Sequence, residues 1–152
     1  MSDKSVSYWS DTRQGLRAVE LRAAGFEPSE AVNTNAVVTI ANAYTNAHRC
    51  NNRVRRIADL LVDAVASKGG QGLLVGAPAV SDALTQGTVN AGYSLASRDL
   101  MADCMETGHY AHHGNGMIVV SGCDKTGAAA LMPLARTNAF GLVVYPGTSS
   151  PG

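Results

Sequence analysis

Four short runs of branched apolar residues constrain what this chain can fold into: 36–41 (AVVTIA), 72–76 (GLLVG), 117–121 (MIVVS) and 141–145 (GLVVY). They are nearly continuously apolar rather than alternating, as strands buried on both faces are. Helical patterns lie between them. In residues 52–68, Val54, Ile57, Leu61 and Val65 recur at steps of three and four, and Gly69-Gly70 ends the helix. Residues 97–113 open on Ser97 and carry Leu100, Met101, Cys104 and Met105 along one stripe. Residues 126–136 form a shorter helix in which Pro133 is expected to force a break or kink. An amphipathic stretch, 12–24, comes first and stops at Gly25. Strand–helix–strand alternation predicts parallel pairing through right-handed crossovers. The expected fold class is therefore α/β, an open and mainly parallel sheet flanked by helices. Its core is expected to include Val38, Ile40, Leu74, Val119, Val120 and Val143.

A length of 152 residues suits one domain, placed at 12–152, behind a loose tail at 1–11 that Trp9 docks. Twelve Lys and Arg balance twelve Asp and Glu, which argues against nucleic acid or anionic membrane as a partner. The longest apolar runs, about four or five residues, are far short of a membrane span. The first ten residues carry Asp3 and Lys4 and no apolar stretch, so no secretory signal is read there. Three cysteines, Cys50, Cys104 and Cys123, are an odd number and no disulfide framework. The expected location is the reducing cytoplasm.

In open parallel sheets, ligands bind just past the carboxyl ends of the strands. The first run is followed by NAYTNAHRCNN, holding Asn46, His48 and Cys50; the second by APAVSDALTQG, holding Asp82; the third by GCDKT, holding Cys123, Asp124 and Lys125. Two cysteines and two aspartates remote in sequence are thus expected along one edge. Each has a plainer role open to it. Cys50 is either a buried thiol or, in a polar loop before a helix, a metal ligand or nucleophile. Asp82 suits a helix cap. GCDKT has the outline of a phosphate loop, but Asp124 stands where a glycine is needed and would repel phosphate. An Asp beside a Lys better suits a divalent cation, provided the lysine is neutralised or modified. Cys104 belongs to an apolar stripe and so to the core. His109, His112 and His113 share a helical face at metal-compatible spacing, but no acid adjoins them and zinc is disfavoured.

The order of these motifs resembles the dihydroxy-acid, phosphogluconate and sugar-acid dehydratases. The resemblance is carried by IANAYTNAHRCN (40–51), VSD-LTQGT (80–82, 84–88), YSL-SRDL-AD (93–95, 97–100, 102–103), GCDKT with the LM and AR-N that follow, and the closing VYPGTSSPG. It spans roughly residues 12–152. It implies a hydro-lyase acting on a small hydroxy acid, in branched-chain amino-acid biosynthesis or sugar-acid catabolism, with an iron–sulfur cluster (2Fe-2S or 4Fe-4S) and Mg2+. By the same resemblance Cys50 and Cys123 ligate the cluster, and Asp82, Asp124 and a carbamylated Lys125 hold Mg2+. Carbamylation turns a repelling cation into an anionic oxygen ligand.

Departures from the family pattern are also present. Arg53 replaces the usual histidine after Cys-Asn, Ala83 replaces the glycine after Asp82, Ala128 and Ala129 fill a Pro-Gly position, and Pro146 displaces a glycine. Members are several times longer, so a third cluster cysteine, a further acidic ligand and the catalytic base are expected beyond residue 152. Cys104 sits where serine is common and is not expected to substitute. The expectation is an amino-terminal portion of such a dehydratase, inactive alone, that forms a homo-oligomer or joins a complementary carboxyl-terminal chain. The alternative is a non-catalytic homologue acting as a binding or assembly subunit.

Overall fold

The computed structural model describes residues 11–26 and 36–149. The expectations for residues 1–10, Trp9 included, lie outside them. In chain order the elements are α1 (Asp11–Ala23), β1 (Val37–Asn42), α2 (Val54–Ser67), β2 (Gln71–Gly76), α3 (Asp82–Thr85), α4 (Gly92–Ala111), β3 (Gly116–Val120), α5 (Asp124–Thr137) and β4 (Phe140–Val144). The strands form one sheet, ordered β2-β1-β3-β4. Every pair is parallel, with Ile40 opposite Leu74 and Ile118, and Val119 opposite Val143. All four expected strands are present, displaced by about one residue, a normal uncertainty at element ends.

Successive residues of β1 and β3 point to opposite faces, which divides the core in two. On one face Ile40 and Val120 pack under Val54 and Ala58 of α2. On the other, Ala41, Met117 and Val119 meet Met101 and Met105 of α4 and Ala129 and Ala130 of α5. Small side chains let these layers approach closely: a Cβ on Gly108 of α4 would lie 2.7 Å from the Val75 side chain of β2.

The structure corrects several expectations. Leu74 is 37% exposed, because β2 is an edge strand and Leu74 lines an open depression with Tyr44 and Arg55. Helix α4 begins at Gly92, five residues before Ser97, and its buried line is Ser97, Met101, Met105 and His109; Leu100 lies exposed beside it. Helix α5 runs through Pro133 without breaking. The proline ring is buried, and the Thr137 hydroxyl donates to the Pro133 carbonyl at 2.7 Å. The helix ends instead at left-handed Asn138. His113 also has positive φ and lies past the end of α4, so the three histidines share no face.

His109 is a core residue whose Nδ1 lies 3.0 Å from the Thr39 hydroxyl of β1. Burial lowers its pKa from the ordinary 6.5. The unfolded chain therefore binds a proton on this ring at a pH where the folded chain does not. Its contribution to stability is complete above pH 6.5 and declines as pH falls from there toward the lower folded value. Urea unfolding on either side of pH 6.5 is expected to show this loss, and His109→Gln is expected to flatten it.

Candidate metal-binding edge

The loops after β1, β2 and β3 leave the same end of the parallel sheet and are tied together by side chains. In the first loop, Asn51 is fully buried and its Nδ2 donates to the Ala43 carbonyl at 2.6 Å. Its Oδ1 is buried without a hydrogen-bond partner among the described residues. Asn51 packs on Gly122 of the third loop so closely that a Cβ there would lie 2.4 Å from Oδ1. The residues next to this contact, Cys50 and Cys123, are both half-buried free thiols. Cys123 N-caps α5, and the Thr126 hydroxyl fixes its turn by accepting from Gly122 N–H at 2.7 Å and donating to the Cys123 carbonyl at 2.9 Å.

The second loop joins the first through His48, whose Nε2 lies 2.9 Å from Asp82 Oδ1. Asp82 opens the one-turn helix α3, and the same oxygen accepts from Ala83 N–H at 3.1 Å. It does not cap α3; Ser81 holds that position. The second loop joins the third through Lys125. Its ammonium donates to the Val80 carbonyl and, at 2.8 Å, to the Ser94 hydroxyl, and lies 3.9 Å from Asp82 Oδ1. Asp124 is exposed, and its Oδ1 accepts from Lys125 N–H at 2.7 Å. Asp82, Asp124, Lys125 and Ser94 line a single cavity of about 380 Å3.

Burial alone would raise the Asp82 pKa, but the Lys125 charge and the bonds from Ala83 and His48 outweigh it, so the carboxyl titrates below its ordinary 3.8. Lys125→Met removes the leading favourable charge while the cost of burial remains. The Asp82 pKa is then expected to rise, which carboxylate NMR titration reads directly.

The sheet edge thus brings Asp82, Asp124 and Lys125 onto one cavity, and sets the Cys50 and Cys123 loops against each other. Cys104 stands on α4, packed against the methionine core. Among the described residues, no three His, Cys, Asp or Glu side chains form a group that could hold a metal ion. The sequence patterns named His48 only as a loop residue and did not single out Asn51. Their roles follow from loop conformations that bring together residues as far apart as His48 and Asp82, for which spacing supplies no signal. No helix among the described residues is long and apolar enough to cross a membrane.

Residues 35–152 match the family model described as dihydroxy-acid/6-phosphogluconate dehydratase N-terminal. The chain is 40% identical over 116 residues to dihydroxy-acid dehydratase 1 of Cupriavidus pinatubonensis, covering 76% of this chain and 21% of that protein. It is 36% identical over 124 residues to dihydroxy-acid dehydratase 3 of Bordetella bronchiseptica, covering 82% and 22% respectively. A dihydroxy-acid dehydratase of Ralstonia nicotianae is 37% identical over 119 residues, 78% of this chain and 21% of the relative. The chain spans about a fifth of the length of these curated relatives.

Proposed function

This chain belongs to the dihydroxy-acid/6-phosphogluconate dehydratase N-terminal family, and from that premise we propose that it supplies part of a cytoplasmic hydro-lyase site for a 2,3-dihydroxy acid or sugar acid. The observation carrying this is the linkage of three strand-end loops by Asn51, His48 and Lys125, with Asp82, Asp124 and Lys125 on one cavity. The net reaction removes a proton from C2 and hydroxide from C3 as water, and the resulting enol becomes a 2-oxo acid.

The donors present suit the groups this chemistry uses. Cys50 and Cys123 are free thiols and would hold an iron–sulfur cluster, 2Fe-2S or 4Fe-4S. Asp82 and Asp124 are exposed carboxylates and, with Lys125 as a carbamate, would hold Mg2+. When bound, the iron supplies a Lewis acid for the departing 3-hydroxyl, and Mg2+ one for the carboxylate and 2-hydroxyl. Lys125 acts first on Asp82: as an ammonium it neutralises the carboxylate, and as a carbamate it would withdraw that charge and add an oxygen of its own. Two thiolates and two carboxylates leave both sites open. The remaining donors and the C2 base would come from polypeptide other than residues 1–152, in the same or a complementary chain.

One observation favours a second function, that of a non-catalytic binding or assembly subunit. The Lys125 ammonium stands 3.9 Å from Asp82 Oδ1 and donates to Val80 and Ser94, so a cationic side chain already balances the carboxylate. Joining residues 35–152 to the remaining sequence of the Cupriavidus relative tests between them. After anaerobic cluster assembly, Mg2+-dependent formation of a 2-oxo acid from a 2,3-dihydroxy acid is expected. A folded assembly that takes up neither iron nor Mg2+ would establish the non-catalytic function instead.

A further inference from the structure

His48 is 93% removed from solvent, its side chain being only 7% exposed, and it is bonded on both ring nitrogens. The Cys50 backbone N–H donates to Nδ1 at 3.2 Å, so Nδ1 is an acceptor and the ring proton sits on Nε2. That proton points to Asp82 Oδ1 at 2.9 Å. We propose that His48 is a positioning residue that fixes the Asp82 carboxylate against the Cys50 loop and leaves Oδ2 as the oxygen presented to a divalent cation.

The alternative role, His48 as a metal ligand through Nε2, conflicts with the first bond. A ring that accepts at Nδ1 and binds metal at Nε2 would have to lose both protons. The Asp82 side chain needs such an anchor, since it is 57% exposed on a helix of four residues. Three groups converge on Oδ1: His48 Nε2, Ala83 N–H and, at 3.9 Å, the Lys125 ammonium. No hydrogen bond reaches Oδ2 among the described residues. One ring therefore relates the cysteine of the first loop to the carboxylate of the second, across 34 positions of sequence.

The inference rests on the proposed role of Asp82 as a cation ligand, and its test separates the two. Mn2+ serves as the probe, with line broadening of the Ala83 and Lys125 amides followed in the 15N-labelled 152-residue chain. His48→Ala is expected to weaken Mn2+ binding about 10-fold, as loss of an outer-sphere partner does. His48→Gln places an amide donor near the Nε2 position and is expected to restore most of the affinity. His48→Asn places its amide near Nδ1, keeps the Cys50 bond and is expected to restore none. Long-range 1H–15N spectra of the unaltered chain are expected to show the Nε2–H form, an observation that does not depend on any variant folding. Undiminished Mn2+ binding in His48→Ala or His48→Asn, alongside loss in Asp82→Asn, would overturn the positioning role alone, as would a proton on Nδ1. Undiminished binding in Asp82→Asn would overturn the cation-ligand role and the positioning role with it.

Discussion

Replacing Gly122 by alanine is expected to lower the unfolding free energy by about 2–4 kcal/mol, combining overpacking with a lost buried hydrogen bond. The added Cβ would lie 2.4–2.6 Å from Oδ1, Cγ and Nδ2 of Asn51. Asn51 has nowhere to yield, being fully buried and bonded to the Ala43 carbonyl at 2.6 Å. Gly122 is equally held, because its N–H donates to Thr126. Gly127, on α5 with nothing within 4 Å of its Cβ position, is the control. Gly127→Ala is expected to be neutral or to stabilise by up to about 1 kcal/mol through helix propensity. Urea unfolding of the two variants checks the contrast. Equal midpoints would mean that the Cys50 and Cys123 loops are not packed together as described.

The second large effect is expected at Lys125, in the assembly with the rest of the relative. Lys125→Arg keeps a positive charge beside Asp82 and can still donate toward Val80 and Ser94, but it cannot become a carbamate. Mg2+-dependent turnover is expected to fall by at least about 100-fold, the upper end for outer-sphere changes at metal sites. Thermal stability should change far less. Mass spectrometry of the unaltered assembly in bicarbonate should show the carbon dioxide adduct on Lys125. Retained turnover in Lys125→Arg would remove the carbamate from the account.

The parallel sheet was legible because its strands are continuous branched apolar runs with helical periods between them, a pattern few other arrangements satisfy. The stripe on α4 was less so. Leu100 and Met101 are adjacent and both apolar, and only the packing of α4 on β1, β2 and α5 decides that Met101 is buried and Leu100 exposed. Pro133 read as a break or a kink, yet its ring is core and the helix continues past it unbroken. At the site, topology alone directed attention to Cys50, Asp82 and Cys123, since each follows a strand end. The His48–Asp82 bond and the burial of the Lys125 ammonium were not legible, because they depend on how three separate loops close on one another.

The proposed function depends most directly on Cys50 and Cys123 holding an iron–sulfur cluster together. Anaerobic reconstitution of the assembly, read by iron–thiolate absorbance and by iron and sulfide bound per chain, compares Cys50→Ser, Cys123→Ser and Cys104→Ser. Absorbance and turnover are expected to be lost together in the first two and nearly intact in the third, whose thiol packs against the methionine core. A cluster retained at full occupancy in Cys123→Ser, or lost in Cys104→Ser with the fold preserved, would contradict it.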